Sequence, residues 1–166
     1  MGWDMNRFIV AEANKCIGCR TCEVACVVSH QAAQDCSEVS PEAFQPRIRV
    51  VKTGMLSTAA VCRQCEDAPC GAVCPTQAIS RRNDFVFVDQ ARCIGCKTCM
   101  VACPYGAMEV VTVAAHQVQA LKCDLCWHRD AGPACVEACP TSALRCMDPK
   151  QLEQISAEKR RRAAAW

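Results

Sequence analysis

Residues 93–104 read CIGCKTCMVACP, which sets Cys93, Cys96, Cys99 and Cys103 at gaps of two, two and three residues with Pro104 directly behind. Sixteen of the chain's 18 cysteines fall into four such groups of four. Cys16, Cys19, Cys22 and Cys26 (CIGCRTCEVAC) keep the spacing but have Val27 where the proline is expected. Cys62, Cys65, Cys70 and Cys74 (CRQCEDAPCGAVCP) and Cys123, Cys126, Cys135 and Cys139 (CDLCWHRDAGPACVEACP) keep the leading C-x2-C and the closing C-x3-C-P around a longer middle.

The third group matches the bacterial ferredoxin run C-x2-C-x2-C-x3-C-P residue for residue. Three thiolates must reach three corners of one cubane from a single short loop, and Gly18 and Gly95 supply the backbone freedom this demands. The three-residue gap starts a helical turn that points the last cysteine away from its own loop, so it ligates the other cluster of a pair. The proline then ends the run. At four thiolates each, the sixteen cysteines make four [4Fe–4S] clusters. Zinc also takes four cysteines, usually as two C-x2-C pairs, but the compact loops of the first and third groups do not suit a tetrahedral site. Cys36 and Cys146 have no partner at ligand spacing and read as small buried hydrophobes.

The rest of the composition agrees. The chain has 166 residues, only eight of them aromatic, so its ordinary apolar side chains make a modest core. Lys and Arg number 19 against 17 Asp and Glu, which argues against a nucleic-acid binder that works by phosphate neutralisation. The opening shows no basic-headed apolar segment of the secretory or twin-arginine kind. The longest apolar stretch, Met108–Ala115, is far short of the ~20 residues of a membrane span. A cytoplasmic location is expected, where so many thiols argue for clusters over disulfides.

The sequence repeats. Arg7–Cys26 parallels Asp84–Cys103, each an apolar strand (Phe8–Val10, Phe85–Val88) leading into a cysteine loop and a short helix. The second and fourth groups run on into similar segments, PTQAI at Pro75–Ile79 and PTSAL at Pro140–Leu144. Internal duplication is the simplest account. The predicted architecture is α+β: duplicated ferredoxin-like modules of small strands and short helices organised around the clusters. Spacing alone does not decide which groups pair, because Cys74–Cys93 and Cys103–Cys123 are similar intervals. The strand within 78–92 favours joining the second group to the third, and the long interval before Cys62 sets the first apart. An inner module over 62–103 is expected, with an outer module over 6–61 and 104–147. Within the outer module, 27–61 reads as a covering insertion carrying a strand near Arg47–Val51.

The order of all four motifs resembles the four-cluster iron–sulfur subunits of molybdopterin oxidoreductases. The stretches MNRFIVAEANKCIGCRTCEVACVVSH, CIGCKTCMVACPYGAMEVV, CDLCWHRDAGPAC and LEQISAEKRRR resemble, more narrowly, the electron-transfer proteins of the formate hydrogenlyase system, the HydN/HycB type. That resemblance implies nested ligation. Cys62, Cys65 and Cys70 take Cys103, and Cys93, Cys96 and Cys99 take Cys74. Cys16, Cys19 and Cys22 take Cys139, and Cys123, Cys126 and Cys135 take Cys26. Its implied partners are a formate dehydrogenase catalytic subunit holding molybdenum or tungsten on bis-molybdopterin, and a hydrogenase or further iron–sulfur subunit.

The chain therefore reads as an electron wire without a catalytic site of its own. Its alternatives are an iron–sulfur subunit of another molybdopterin oxidoreductase and, from a different class, a maturation or assembly factor for formate dehydrogenase or hydrogenase. With each oxidised cluster at a formal −2, the apo charge of +2 becomes about −6. Arg20 and Lys97 occupy equivalent loop positions, where a cation either raises the cluster potential or is simply solvated. His30 and His128 are not needed as ligands. The tail, 148–166, reads as a helix capped by Asp148 with Pro149 in its first turn. It is either solvated or a docking element, self-assembly included.

Overall fold

The computed structural model describes residues 6–113 and 117–165. Strand β1 (Phe8–Ala11) leads through a cysteine loop into helix α1 (Thr21–Ser29), then hairpin β2 (Ile48–Thr53) and β3 (Leu56–Val61), helix α2 (Pro69–Ala72) and strand β4 (Ile79–Arg82). The same order then recurs as β5 (Phe85–Val88), α3 (Thr98–Ala102), β6 (Glu109–Thr112), β7 (Val118–Leu121), α4 (Ala134–Glu137) and β8 (Leu144–Met147). Helix α5 (Pro149–Ala164) comes last. The expected α+β architecture of small strands and short helices is what forms.

All eight strands pair antiparallel, in four two-stranded sheets. Two sheets are local hairpins, β2–β3 and β6–β7, one in each half. The other two join the halves. β4 pairs with β5 across a tight turn, Ile79 opposite Val88. β1 pairs with β8, Phe8 opposite Met147 and Ala11 opposite Leu144, so the two ends of the repeat close on each other. The second hairpin is not apparent from sequence, because the apolar run Met108–Ala115 shows no alternation. Residues 114 and 115 of that run lie outside the described ones. A bidentate pair, Arg49 Nε and Nη2 to Glu109 Oε1 and Oε2 at 3.1 and 2.7 Å, ties β2 to β6.

Two-stranded sheets are marginal alone, and here the core is completed by sulfur. Ile9, Ile48, Val61, Phe85, Leu125 and Leu144 pack with Cys22, Cys26, Cys123 and Cys135. Ile79, Val86, Val88, Met108 and Ala120 pack with Cys99, and Cys70, Cys74, Cys93 and Cys103 lie against them.

The departure at Val27 has a local consequence. Helix α3 stops at Ala102 because Cys103 precedes proline and is pushed to extended backbone, φ −73° and ψ 113°. Without that proline α1 runs past Cys26 to Ser29. Each helix is entered through two left-handed residues, Gly18 (φ 68°) and Arg20 (φ 63°), or Gly95 (φ 71°) and Lys97 (φ 65°). Both glycines lie under the hairpin of their own half. A Cβ on Gly18 would meet the flexible end of Lys52, whereas on Gly95 it would lie 2.5 Å from Cγ1 of Val118, a stiff β-branched side chain.

Gly95→Ala is therefore expected to cost about 2–4 kcal/mol, from left-handed strain plus overpacking. Gly106→Ala (φ 59°), where nothing lies within 4 Å, should show only the backbone part, about 1–2 kcal/mol. Thermal melts of the two holo-variants check the difference.

Asp148 caps α5 in a reciprocal box: its Oδ1 accepts from Gln151 N at 2.8 Å while Gln151 Oε1 accepts from Asp148 N at 3.2 Å. Arg161 and Arg162 occupy the last turn, where the helix dipole favours cations. Cys146 is half-buried on β8, but Cys36 departs from expectation. It is exposed, in a single 3-10 turn of the connection between α1 and β2, where no apolar face requires it.

Candidate functional site

Cys16, Cys19 and Cys22 line a narrow, largely apolar cleft together with Cys139 from the other end of the chain. Cys93, Cys96 and Cys99 line a second such cleft together with Cys74. The two are equivalent under the duplication, and in both the distant cysteine opens a C-P-T turn. Of the other eight cysteines, Cys26, Cys123, Cys126 and Cys135 are buried and Cys62, Cys65, Cys70 and Cys103 are part-buried. Burial raises the Cys65 and Cys70 thiols, and the charges of both Cys62 and Cys103 add to it. Burial also pushes Cys135 upward, with Cys123, Cys26 and Cys126 close enough to reinforce it. Each of the two clefts draws three cysteines from one motif and one from elsewhere.

Hydrogen bonds to sulfur repeat the same two-fold pattern. The hydroxyls of Thr21 and Thr98 lie 3.3 and 3.5 Å from Cys19 and Cys96 Sγ and hold those thiols below their usual range. At Cys74 burial acts upward but is outweighed by the Thr76 hydroxyl and the Ala78 N–H. At Cys139 burial is likewise outweighed, by the backbone of Leu144 and Ala143 and the hydroxyl of Thr141. Gln64 and Leu125, both left-handed at φ 51° and 57°, aim their N–H at Cys62 and Cys123 Sγ at 3.4 and 3.5 Å. Such donors favour the thiolate and tune whatever it binds. The threonines were readable, since C-x-T recurs in CRTC and CKTC and C-P-T closes the second and fourth groups. Gln64 and Lys122 carried no such signal.

The histidines serve structure. His30 Nδ1 donates to Cys26 O at 2.7 Å and Nε2 to Asp124 at 3.1 Å, while Arg47 also pairs with Asp124. Burial opposes charge on His30, yet the Asp124 and Cys26 acceptors prevail and hold its pKa at about 10. Burial likewise opposes charge on Asp124, and His30 and Arg47 overcome it, bringing that carboxyl down to about 2. An imidazolium is no metal ligand. His128 Nε2 meets Ser29 O at 2.7 Å, its ring edge-on to His30 with centroids 4.8 Å apart.

The donor set fits a body larger than one ion. A single zinc with ~2.3 Å bonds needs sulfurs about 3.8 Å apart. Among the described residues the one convergent trio of ligand atoms, all within 4.8 Å, is His30, Asp124 and Cys126, and two of these are already engaged with each other. The grouped cysteines instead line two clefts without converging on one point. Lys122, 4% exposed, adds a second indication of fit. Among the described residues its Nζ reaches only neutral oxygens, Cys123 O at 2.7 Å and Gln64 Oε1 at 3.4 Å, and a buried cation so placed calls for negative charge nearby.

Residues 53–149 match the 4Fe-4S dicluster domain family. Over 172 aligned residues the chain is 64% identical to the electron transport protein HydN of Escherichia coli (strain K12), covering 96% of this chain and 98% of that one. It is 38% identical to the hydrogenase-4 component A of the same organism, covering 98% of this chain and 92% of that one. No described helix is long and apolar enough to cross a membrane. With the cysteine groups and these likenesses together, the chain belongs to the 4Fe-4S dicluster family, on the branch of the HydN-type electron transport proteins, and is an iron–sulfur electron carrier.

Proposed function

We propose that this protein holds four [4Fe–4S] clusters and relays electrons in the cytoplasm between a molybdenum- or tungsten-dependent formate dehydrogenase catalytic subunit and a hydrogenase. The ligand sets are Cys16, Cys19, Cys22 with Cys139; Cys123, Cys126, Cys135 with Cys26; Cys62, Cys65, Cys70 with Cys103; and Cys93, Cys96, Cys99 with Cys74. The observation that carries this reading is the pair of equivalent clefts, each lined by three cysteines of one loop and the last cysteine of a distant motif. When bound, each cluster takes up and releases one electron.

The chain's own residues arrange the route. Cys123, Cys126 and Cys135 are buried, while Cys19 and Cys96 are exposed, as are their neighbours Ile17 (64%) and Ile94 (65%). The first and third motifs thus form two outward faces, and the part-buried second motif meets the buried Cys123–Cys126 loop of the fourth at Gln64 and Lys122, between them. A carrier needs this division, with apolar contact surface beside each terminal donor and water kept from the middle. The identity to an electron transport protein supports the carrier role, and the likeness to a hydrogenase component supports a hydrogenase as one partner.

The test is anaerobic. The protein is purified gently with whatever accompanies it, formate is added, and the visible cluster absorbance is monitored. Bleaching that depends on a co-purified molybdenum or tungsten subunit is expected. Full reduction by dithionite with no response to formate would reject the formate partner and keep the carrier.

A further inference from the structure

Lys122 stands at the junction of the two halves, immediately before Cys123 and 4% exposed. Its Nζ donates to Cys123 O at 2.7 Å and faces Gln64 Oε1 at 3.4 Å. Gln64 is wholly buried and locks the junction: its Nε2 donates to the same Cys123 O at 2.8 Å, its Oε1 accepts from Val86 N at 2.9 Å, and its own N–H points at Cys62 Sγ. One ammonium therefore sits between the second motif and the fourth, held through the backbone of one and a side chain of the other. Its charge is felt at both Cys70 and Cys123.

A buried ammonium with two neutral acceptors is poorly compensated. Arg81, which donates to the carbonyls of Gln64 and Cys65, is part-exposed and screened by water. Lys122 has no such screening. A cluster with four thiolates becomes more negative on reduction, so a fixed cation beside it favours the reduced form.

We propose that Lys122 is a redox-positioning residue: its buried charge raises the potentials of two clusters, those of Cys62, Cys65, Cys70 with Cys103 and of Cys123, Cys126, Cys135 with Cys26, so that electrons pass between the halves. The inference rests on the four-cluster assignment. Lys122 touches no electron-carrying atom; it acts through the field it sets at both sites.

The experiment is a redox titration of the purified holoprotein monitored by EPR, after iron analysis. Wild-type protein with other than four clusters' worth of iron overturns the assignment before any potential is read. With four present, Lys122→Met is expected to make at least one cluster about tenfold harder to reduce at a given poise, a fall of about 59 mV for one electron. Lys122→Arg, which keeps the charge, should titrate like wild type. Unchanged potentials in Lys122→Met overturn the inference, as does an equal shift in Lys122→Arg, which would mean packing and not charge. Should Lys122→Met fail to take up its iron, Lys122→Gln removes the charge while keeping a side-chain N–H donor for the Cys123 carbonyl. A lowered potential there supports the inference, and an unchanged one overturns it.

Discussion

Cys139→Ala is expected to remove the cluster of Cys16, Cys19 and Cys22, at the opposite end of the sequence, and to leave the cluster of its own motif in place. The basis is geometric: Cys139 lines the cleft with Cys16, Cys19 and Cys22. The strand pairing that brings it there, β1 against β8, seats Ala11 opposite Leu144, just before the first loop and just after Pro140. The loss is about a quarter of the iron. Double variants make the assignment decisive, because two ligands of one cluster are not additive. Cys139→Ala with Cys19→Ala should lose no more iron than either alone, whereas Cys139→Ala with Cys126→Ala should lose twice as much. The reverse pattern would reject the nested scheme. Cys103→Ala should behave alike toward Cys65→Ala in the inner pair.

Stripping the iron should unfold the protein. An ordinary domain's net stability is about 5–15 kcal/mol, and little here supplies it without the clusters. No sheet among the described residues exceeds two strands. Both apolar cores have cysteine sulfur among their members. Freed thiols would also have to hold protons in the interior: burial, with Glu23 beside it, lifts Cys22 to about 11. Lys122 would lose the negative charge that offsets its burial. Anaerobic chelation should therefore abolish the cooperative melt and most far-ultraviolet dichroism, both returning only with iron, sulfide and reductant. An iron-free protein that still melts cooperatively near the holo temperature would mean that the aliphatic core suffices.

Several local features were legible because their causes are local. The strands at Phe8 and Phe85 announce themselves by β-branched and aromatic residues before a glycine-bearing cysteine loop. The α5 cap is written in Asp148, Pro149 and Gln151. Even the longer α1 results from Val27 standing where α3 meets Pro104. Residues whose role depends on a distant partner were opaque. Gln64 comes after the first cysteine of its motif like any polar loop residue, and Lys122 precedes a cysteine like any surface lysine. Both are buried because each half covers the other. Glu23 is similar: in an amphipathic helix it reads as solvent-facing, yet Oε1 accepts from Val50 N at 2.6 Å, because the hairpin folds back over α1.

Cysteine spacing alone dictates the chemistry and the repeat, since the reach of three thiolates around one cubane is a matter of a few bonds and two glycines. Which distant cysteine stands beside which loop was decided only in three dimensions. The intervals Cys74–Cys93 and Cys103–Cys123 are nearly equal, so local chain length cannot separate the alternatives. The separation comes from long-range strand pairing, β4 on β5 at the middle of the chain and β1 on β8 at its ends. Their register is set by burying Ile9, Ile79, Val88 and Leu144 together with the sulfurs.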